Sequence, residues 1–211
     1  KSVGGVNGAK TLERTLISTW ASTSSDSSSL AVAMQLATRD EFGLKQSDVA
    51  MNRAGDHIES AGGEDAVWAK AAASVGYSGD VGVFRRGMMD FQRAQYDNTQ
   101  QFFKSRGITE VTAMRGMKLG DPSQSPTSVS LVLQPASSFS HSSSTASNFA
   151  SSHGTVFLVR VPVSQVLGSY LTGYGCTYEQ EIVVLAGKGS ALPAVQIGKQ
   201  RASSLSAAVD A

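Results

Sequence analysis

The sequence has little of what disulfide-stabilised, metal-binding and membrane-spanning proteins require. Its 211 residues include one cysteine, Cys176, and three histidines. An internal disulfide is therefore excluded, and a structural zinc site, which is built from several Cys or His ligands, is not expected. No apolar run approaches the roughly 18 residues of a membrane-spanning helix, and the start of the chain does not resemble a signal peptide. The sequence thus predicts no metal and no membrane insertion.

The composition is that of an ordinary globular protein, with 41% hydrophobic and 17% charged residues. Residues 101–211 hold 8 Lys and Arg against 5 Asp and Glu, which suits an anionic ligand but falls far short of a nucleic-acid-binding surface. The chain begins at Lys1 and not at a methionine. We therefore expect it to be a piece of a larger polypeptide, and its compartment cannot be read from the sequence.

Helical patterns precede strand patterns along the chain. In the first hundred residues apolar positions recur at helical spacing; Gly62-Gly63 ends one helix, and Gly79-Asp80 opens another that runs to about Lys104. After Gly107, short extended runs are predicted at 110–114, 129–133, 155–161, 181–186 and 193–198. This order predicts an α+β fold, with a helical lobe at 1–106, a strand-rich lobe at 107–200 and a tail at 201–211, all in one compact domain.

Three short polar segments stand out in the second half of the chain. They are Met114-Arg115-Gly116-Met117, Ser137-Ser138-Phe139-Ser140 and Glu179-Gln180-Glu181. Each looks like a strand edge carrying a polar group, and the serine segment precedes an Ala-rich helix while the glutamates precede an apolar strand. Any one of them occurs by chance in chains of this size, whereas their order, spacing and context together are specific.

In these segments the chain resembles the mono-ADP-ribosyltransferase family of the Arg-Ser-Glu class, over about residues 107–199. The resemblance implies two packed, mainly antiparallel sheets that form a cleft for NAD⁺, preceded by helices. It also implies that NAD⁺ is a co-substrate, that its nicotinamide bond is cut, and that the source is a bacterial toxin, a secreted effector or a phage protein. Secretion, or delivery into a target cell as part of a larger polypeptide, belongs to the same expectation.

The resemblance assigns NAD⁺ binding to the first two segments. Arg115 is the candidate for the pyrophosphate, because a guanidinium recognises phosphate oxygens bidentately, and Gly116 allows the backbone to approach closely. Ser138 matches the first serine of the family's Ser-x-Ser element and would orient the catalytic carboxylate, with Ser140 as the third residue. Phe149 is a candidate for packing near nicotinamide, although its helical spacing suits core packing equally well.

The two glutamates are the candidates for the chemistry. Glu181 would stabilise the oxocarbenium-like centre that forms at the ribose when the nicotinamide bond breaks. If the segment is extended, Glu179 projects to the same face and would serve the acceptor. In the family, Glu at this place accompanies transfer to arginine. The alternative for both is a solvated acidic turn before a buried strand.

The acceptor is expected to be a target protein. Tyr174 and Tyr178 lie where the family carries its acceptor-recognition loop, although a turn with an aromatic anchor would have the same sequence. Nucleic acid or a small molecule is left open as acceptor, because acceptor choice depends on loops. Two other functions also stay open: an NAD glycohydrolase, in which water replaces the acceptor, and a non-catalytic NAD-binding, structural or interaction module.

Overall fold

The computed structural model describes residues 5–22, 28–45, 49–118, 128–151, 154–187 and 192–197. Their helices are Gly5–Ser22 (α1), Ser29–Glu41 (α2), Asn52–Ala61 (α3), Glu64–Ser74 (α4), Val81–Lys104 (α5) and Ser143–Ala150 (α6). Their strands are Glu110–Met117 (β1), Ser128–Leu131 (β2), Ala136–Ser140 (β3), Thr155–Pro162 (β4), Val166–Ser169 (β5), Glu181–Leu185 (β6) and Leu192–Gln196 (β7). The tail predicted at 201–211 lies outside the described residues.

Local sequence signals explain where the helices begin and end. The Asp80 carboxylate accepts a hydrogen bond from the Val83 amide at 2.9 Å and so caps the N-terminus of α5. Gly62 ends α3 in the left-handed conformation, with φ of 98°, which glycine adopts without steric cost. The predicted boundaries of these two helices are confirmed.

The strands form one antiparallel sheet in the order β2-β7-β4-β1-β3-β6-β5. Helices followed by an antiparallel sheet confirm the α+β class. The five extended runs listed above correspond to β1, β2, β4, β6 and β7. Strand β3 was expected only as a strand edge carrying polar groups. The short strand β5 was not predicted, because four residues that include Gly168 and Ser169 carry too little apolar alternation to be recognised.

The sheet has two halves that meet at one residue pair. β1 pairs with β4 along its whole length, and β3 does the same with β6, whereas β1 and β3 are joined through Met114 and Ser140. The resemblance implied two packed sheets, and the structure differs in that hydrogen bonds join all seven strands. The junction between the halves falls within two of the polar segments.

The helices cover one face of the half formed by β3, β6 and β5. Ala136 and Val183 pack into a core cluster with α1, α2, α4 and α5, while Phe139 and Ile182 point to the opposite face and a second cluster. This alternation follows from the period of two along a strand. Helices and sheet therefore share a core, and a side chain at the end of β6 can meet a side chain from α1.

Candidate functional site

The first two polar segments lie on the adjacent strands β1 and β3, and the third ends at Glu181, the first residue of the neighbouring strand β6. Met114 of β1 is opposite Ser140 of β3, and Ser140 is opposite Glu181 of β6. Arg115 is next to this row along β1. Residues that are as many as 67 positions apart in the sequence are thus placed at one point of the sheet, where its two halves meet.

Glu181 is the most enclosed member of the site. It is 3% exposed, and each carboxylate oxygen accepts one hydrogen bond: Oε1 from the Trp20 indole Nε1 at 2.9 Å and Oε2 from the Cys176 backbone amide at 2.8 Å. A buried carboxylate needs such partners, because leaving a charge unpaired away from water costs several kcal/mol or more. The bonds fix the direction of the carboxylate.

Arg115 presents its guanidinium above β3. Its Nη1 donates to the Ser138 carbonyl at 2.7 Å, and the guanidinium carbon lies 5.4 Å from the centre of the Phe139 ring. Within the described residues no carboxylate forms an ion pair with Arg115. Desolvation lowers its pKa, and the charge of Glu181 acts in the opposite direction. A guanidinium has five N–H donors and stays charged, so Arg115 has capacity left for an anionic ligand.

The two serines of the second segment have different surroundings. Ser140 is 4% exposed; its hydroxyl donates to the Glu179 carbonyl at 2.5 Å and accepts from the Ser142 amide at 2.8 Å. This hydroxyl is committed to the backbone, so the direct contact with NAD⁺ predicted for Ser140 does not fit its geometry. Ser138, two residues earlier on the same face of β3, is exposed and opposite Val183. The Ser138 side chain thus remains accessible, while its carbonyl accepts from Arg115.

The geometry predicted for the two glutamates is wrong. Glu179 lies in a turn, Gln180 has a φ of 47°, and β6 begins at Glu181, so the segment is not extended. The two carboxylates still interact. Burial raises the pKa of Glu179, and the charge of Glu181 raises it further. The half-buried Glu179 is therefore a better proton acceptor than an ordinary carboxylate would be.

The space beside Gly116 where a side chain would lie is occupied by α6, so it is not open to a ligand. A Cβ at this position would lie 1.8 Å from the Ala146 carbonyl oxygen and 2.5 Å from the Ala150 nitrogen, both in α6. The close backbone approach predicted for Gly116 exists, but the approaching group is a helix. Phe149, on the same helix, is 54% exposed, so the core-packing alternative is wrong for this side chain.

The two tyrosines of the predicted acceptor loop point in opposite directions. Tyr178 is 98% exposed, and Tyr174 is fully buried. The Tyr174 ring packs against Trp20 and Phe91 with centroid distances of 5.7 Å to each. Burial raises its pKa. The role in acceptor recognition predicted for Tyr174 is therefore wrong, because its ring is an internal anchor of the loop, whereas Tyr178 is free to contact a partner.

Sequence reasoning missed Trp20 and the Cys176 amide, which hold Glu181. The indole N–H of a buried tryptophan normally has a partner, so Trp20 carried a signal. The partner is 161 residues away, and no local pattern identifies it. The backbone donor at Cys176 has no sequence signature, because it depends on the path of the turn between Tyr174 and Glu181.

A cavity of about 240 Å³ lies elsewhere, near the opposite end of β6. Its lining residues are Phe42, Leu44, Arg93, Tyr96, Ser164, Gln165, Leu185, Ala186 and Gly187. None belongs to the three polar segments. Arg93, the one cation among them, donates from Nε to the Glu41 carboxylate at 2.7 Å, so its charge is already paired. The chemistry of the polar segments is the stronger indication of a site.

The described residues contain no group of three or more His, Cys, Asp or Glu side chains that could hold a metal ion. No helix in the described part of the chain is long and apolar enough to cross a membrane.

Comparison with known proteins gave no family assignment. No protein-family model matches the chain, and no significant match was found among the curated proteins or the solved structures. The function is therefore inferred from the geometry of the site and from the motif resemblance.

Proposed function

We propose that this chain is an NAD⁺-dependent mono-ADP-ribosyltransferase that moves ADP-ribose onto a protein side chain, with arginine as the preferred acceptor. The observation that carries the proposal is the row of β1, β3 and β6. The row joins Met114, Ser140 and Glu181 at the junction of the two half-sheets, with Arg115 next to it along β1, and the charges of Arg115 and Glu181 interact. The proposal adopts the ADP-ribosyltransferase-like fold with this junction as the NAD⁺ cleft.

Arg115 would bind the pyrophosphate of NAD⁺. It is cationic, half-buried and outside any ion pair within the described part of the chain, so most of its donors are available. Planar, charged donors of this kind bind phosphate oxygens in pairs. The Ser138 carbonyl, which accepts from Arg115 at 2.7 Å, would hold the guanidinium in place for this contact.

Glu181 would act on the ribose next to nicotinamide. In the reaction the bond between the ribose carbon and the nicotinamide nitrogen breaks, and nicotinamide leaves with the bonding electron pair as a neutral molecule. The ribose carbon becomes oxocarbenium-like, and a fixed carboxylate beside it stabilises the developing positive charge. Because Glu181 is buried, the ribose reaches it only when neighbouring groups shift, and the exposed turn that contains Tyr178 is the least enclosed of them.

Glu179 would serve the acceptor. A guanidinium nitrogen forms the new bond to the ribose carbon, and the proton that it loses goes to Glu179. The raised pKa of Glu179 suits this transfer, because a carboxylate with a higher proton affinity is a better general base. The exposed Tyr178 next to it would contact the target protein.

Labelling with NAD⁺ tests the proposal. The protein is incubated with a cell lysate and NAD⁺ labelled in its adenylate half, and modified peptides are mapped by mass spectrometry. We expect label on arginine residues of target proteins, and we expect none when Glu181→Gln replaces the wild-type protein. Labelled free ADP-ribose without labelled protein would replace the transferase with a glycohydrolase. Intact NAD⁺ in all samples would overturn both the transferase and the glycohydrolase activity, and a non-catalytic module would then be the remaining function.

A further inference from the structure

Two groups that do not belong to the polar segments hold the Glu181 carboxylate, with one hydrogen bond to each oxygen. Trp20 donates to Oε1 and the Cys176 amide donates to Oε2. Hydrogen bonds to an ionised acceptor are about twice as strong as those between neutral groups. A carboxylate has about four lone-pair sites, so two remain for a ribose hydroxyl. The donors therefore fix the carboxylate and leave it able to act.

Trp20 is itself rigidly placed. It is 8% exposed, and its ring lies 5.7 Å from that of Tyr174 at an angle of 39°. Tyr174 is fully buried and contacts Phe91 of α5 edge-on. The indole N–H is a donor with no acceptor function. Packing thus aims a single donor at Glu181 and prevents it from turning to another partner.

We propose that Trp20 is a positioning residue that orients the Glu181 carboxylate toward the ribose carbon from which nicotinamide leaves, so that α1 is part of the catalytic apparatus. The inference depends on the proposed function. It goes beyond the motif resemblance, which covers residues 107–199 and includes no residue of α1. Catalytic groups must be held within about 0.5 Å of the productive geometry, and a displacement of roughly 1 Å can lower a rate about 100-fold.

The test substitution removes the indole N–H of Trp20 and keeps an aromatic ring at this position. Trp20→Phe should lower the kcat of nicotinamide release about 10- to 100-fold and change the KM for NAD⁺ much less, because Arg115 and not Glu181 is assigned to ground-state binding. Trp68→Phe is the matched control. Trp68 is 1% exposed, and its indole N–H has no partner among the described residues, so the same substitution removes no hydrogen bond there and should leave kcat near wild type.

A second variant covers the case in which Trp20→Phe does not fold. Benzothienylalanine at position 20 replaces the indole N–H with sulfur at nearly constant shape, and it should lower kcat by the same factor. Indole N–H resonances provide a readout that does not depend on activity. Trp20 and Trp68 each contribute one, assigned from the two phenylalanine variants, and Glu181→Gln should shift the Trp20 resonance while leaving that of Trp68 in place.

The outcomes separate the two proposals. If the wild-type protein cleaves NAD⁺ and Trp20→Phe has the same kcat, the positioning role alone is overturned. It is also overturned if Glu181→Gln does not shift the Trp20 indole resonance. Equal losses in the Trp20 and Trp68 variants also overturn it, since the effect would then be one of general packing. Absence of NAD⁺ cleavage by the wild-type protein overturns the proposed function and the positioning role together.

Discussion

Arg115 differs from three other half-buried arginines in its hydrogen-bond partner. Arg39, Arg85 and Arg93 are each within 2.8 Å of a carboxylate oxygen. Arg115 instead donates to the Ser138 backbone carbonyl. A half-buried cation without a carboxylate is costly in a folded protein unless a ligand uses it. Its position argues for an anionic ligand at the junction of the half-sheets.

Arg115→Lys should weaken NAD⁺ binding by about 10-fold or more. The bidentate fork is lost, and a hydrogen bond to a charged group contributes roughly 1.5–3 kcal/mol. Isothermal titration calorimetry with NAD⁺ measures the change. Arg160→Lys is the control, since the Arg160 side chain is 80% exposed on the neighbouring strand β4. This variant should bind NAD⁺ with the affinity of the wild type. Equal affinity of the Arg115 variant would remove this residue from the site.

Glu179→Gln should separate transfer from hydrolysis. Labelling of an arginine target should fall strongly, while slow hydrolysis of NAD⁺ persists, because the scissile bond is assigned to Glu181. As the proposed general base, Glu179 would act in its ionised form, and its pKa is raised above the ordinary value of 4.5. In the wild type, transfer should therefore decline on acidification from a pH above 4.5.

Both activities are measured on the same samples, as labelled target and as free ADP-ribose. Equal loss of the two in Glu179→Gln would mean that the carboxylates act as one unit. Equal retention would move acceptor selection away from Glu179 and onto the loop that carries Tyr178.

At the scale of elements, α6 packs closely against the sheet because two of the residues facing it are glycines. Backbone atoms of α6 occupy the place of a Cβ on Gly116, and a Cβ on Gly154 would lie 1.9 Å from the Ala150 carbonyl oxygen. Neither neighbour can move aside like the tip of a flexible side chain. These two glycines therefore determine how closely α6 approaches β1 and β4.

Gly116→Ala should destabilise the protein by about 1–3 kcal/mol or more, the cost of forcing an extra group into a packed interior. Gly87→Ala is the control. Gly87 lies in the middle of α5 with nothing within 4 Å of the added Cβ, so the substitution should stabilise by roughly 0.5–1 kcal/mol through helix propensity. Urea denaturation of both variants tests the pair. A Gly116 variant as stable as wild type would show that α6 is not packed as closely as described.

Elements were easier to predict than the directions of individual side chains. The bounds of α5 followed from Asp80 and the apolar period, and both are local signals. The shared face of Glu179 and Glu181 failed because it assumed an extended backbone, and Gln180 takes a φ of 47° instead. Gly116 correctly indicated a close approach, but a sequence does not say whether a ligand or a helix approaches.

At the scale of the whole molecule, helices and sheet are joined through a shared core. The first core cluster contains Trp68 and Met88 from the helices together with Leu167, Val183 and Leu185 from the strands. The Trp20–Glu181 bond crosses the same boundary. Contacts over such sequence distances leave no local pattern, which is why the order of the three motifs could be read and the residue that holds Glu181 could not.

Thermal unfolding should therefore be a single cooperative transition. Far-ultraviolet circular dichroism reports mainly on the helices, and tryptophan fluorescence reports on Trp20 at the contact between α1 and the sheet and on Trp68 within the helices. The two probes should give coincident curves, as expected for one two-state domain. Separate midpoints would mean that the helical and strand-rich lobes unfold independently, and that the helices are not a fixed part of the site.

The central claim is that Glu181 cuts the nicotinamide bond of NAD⁺. The most direct measurement is the rate of nicotinamide release from NAD⁺ by purified wild-type protein, Glu181→Gln and the control Glu110→Gln, whose side chain is 46% exposed at the start of β1. The wild type and Glu110→Gln should release nicotinamide at equal rates. Glu181→Gln should release none while binding NAD⁺ within a few-fold of wild type, because its carboxylate is assigned to the transition state. Release by Glu181→Gln at a rate near that of the wild type would contradict the claim.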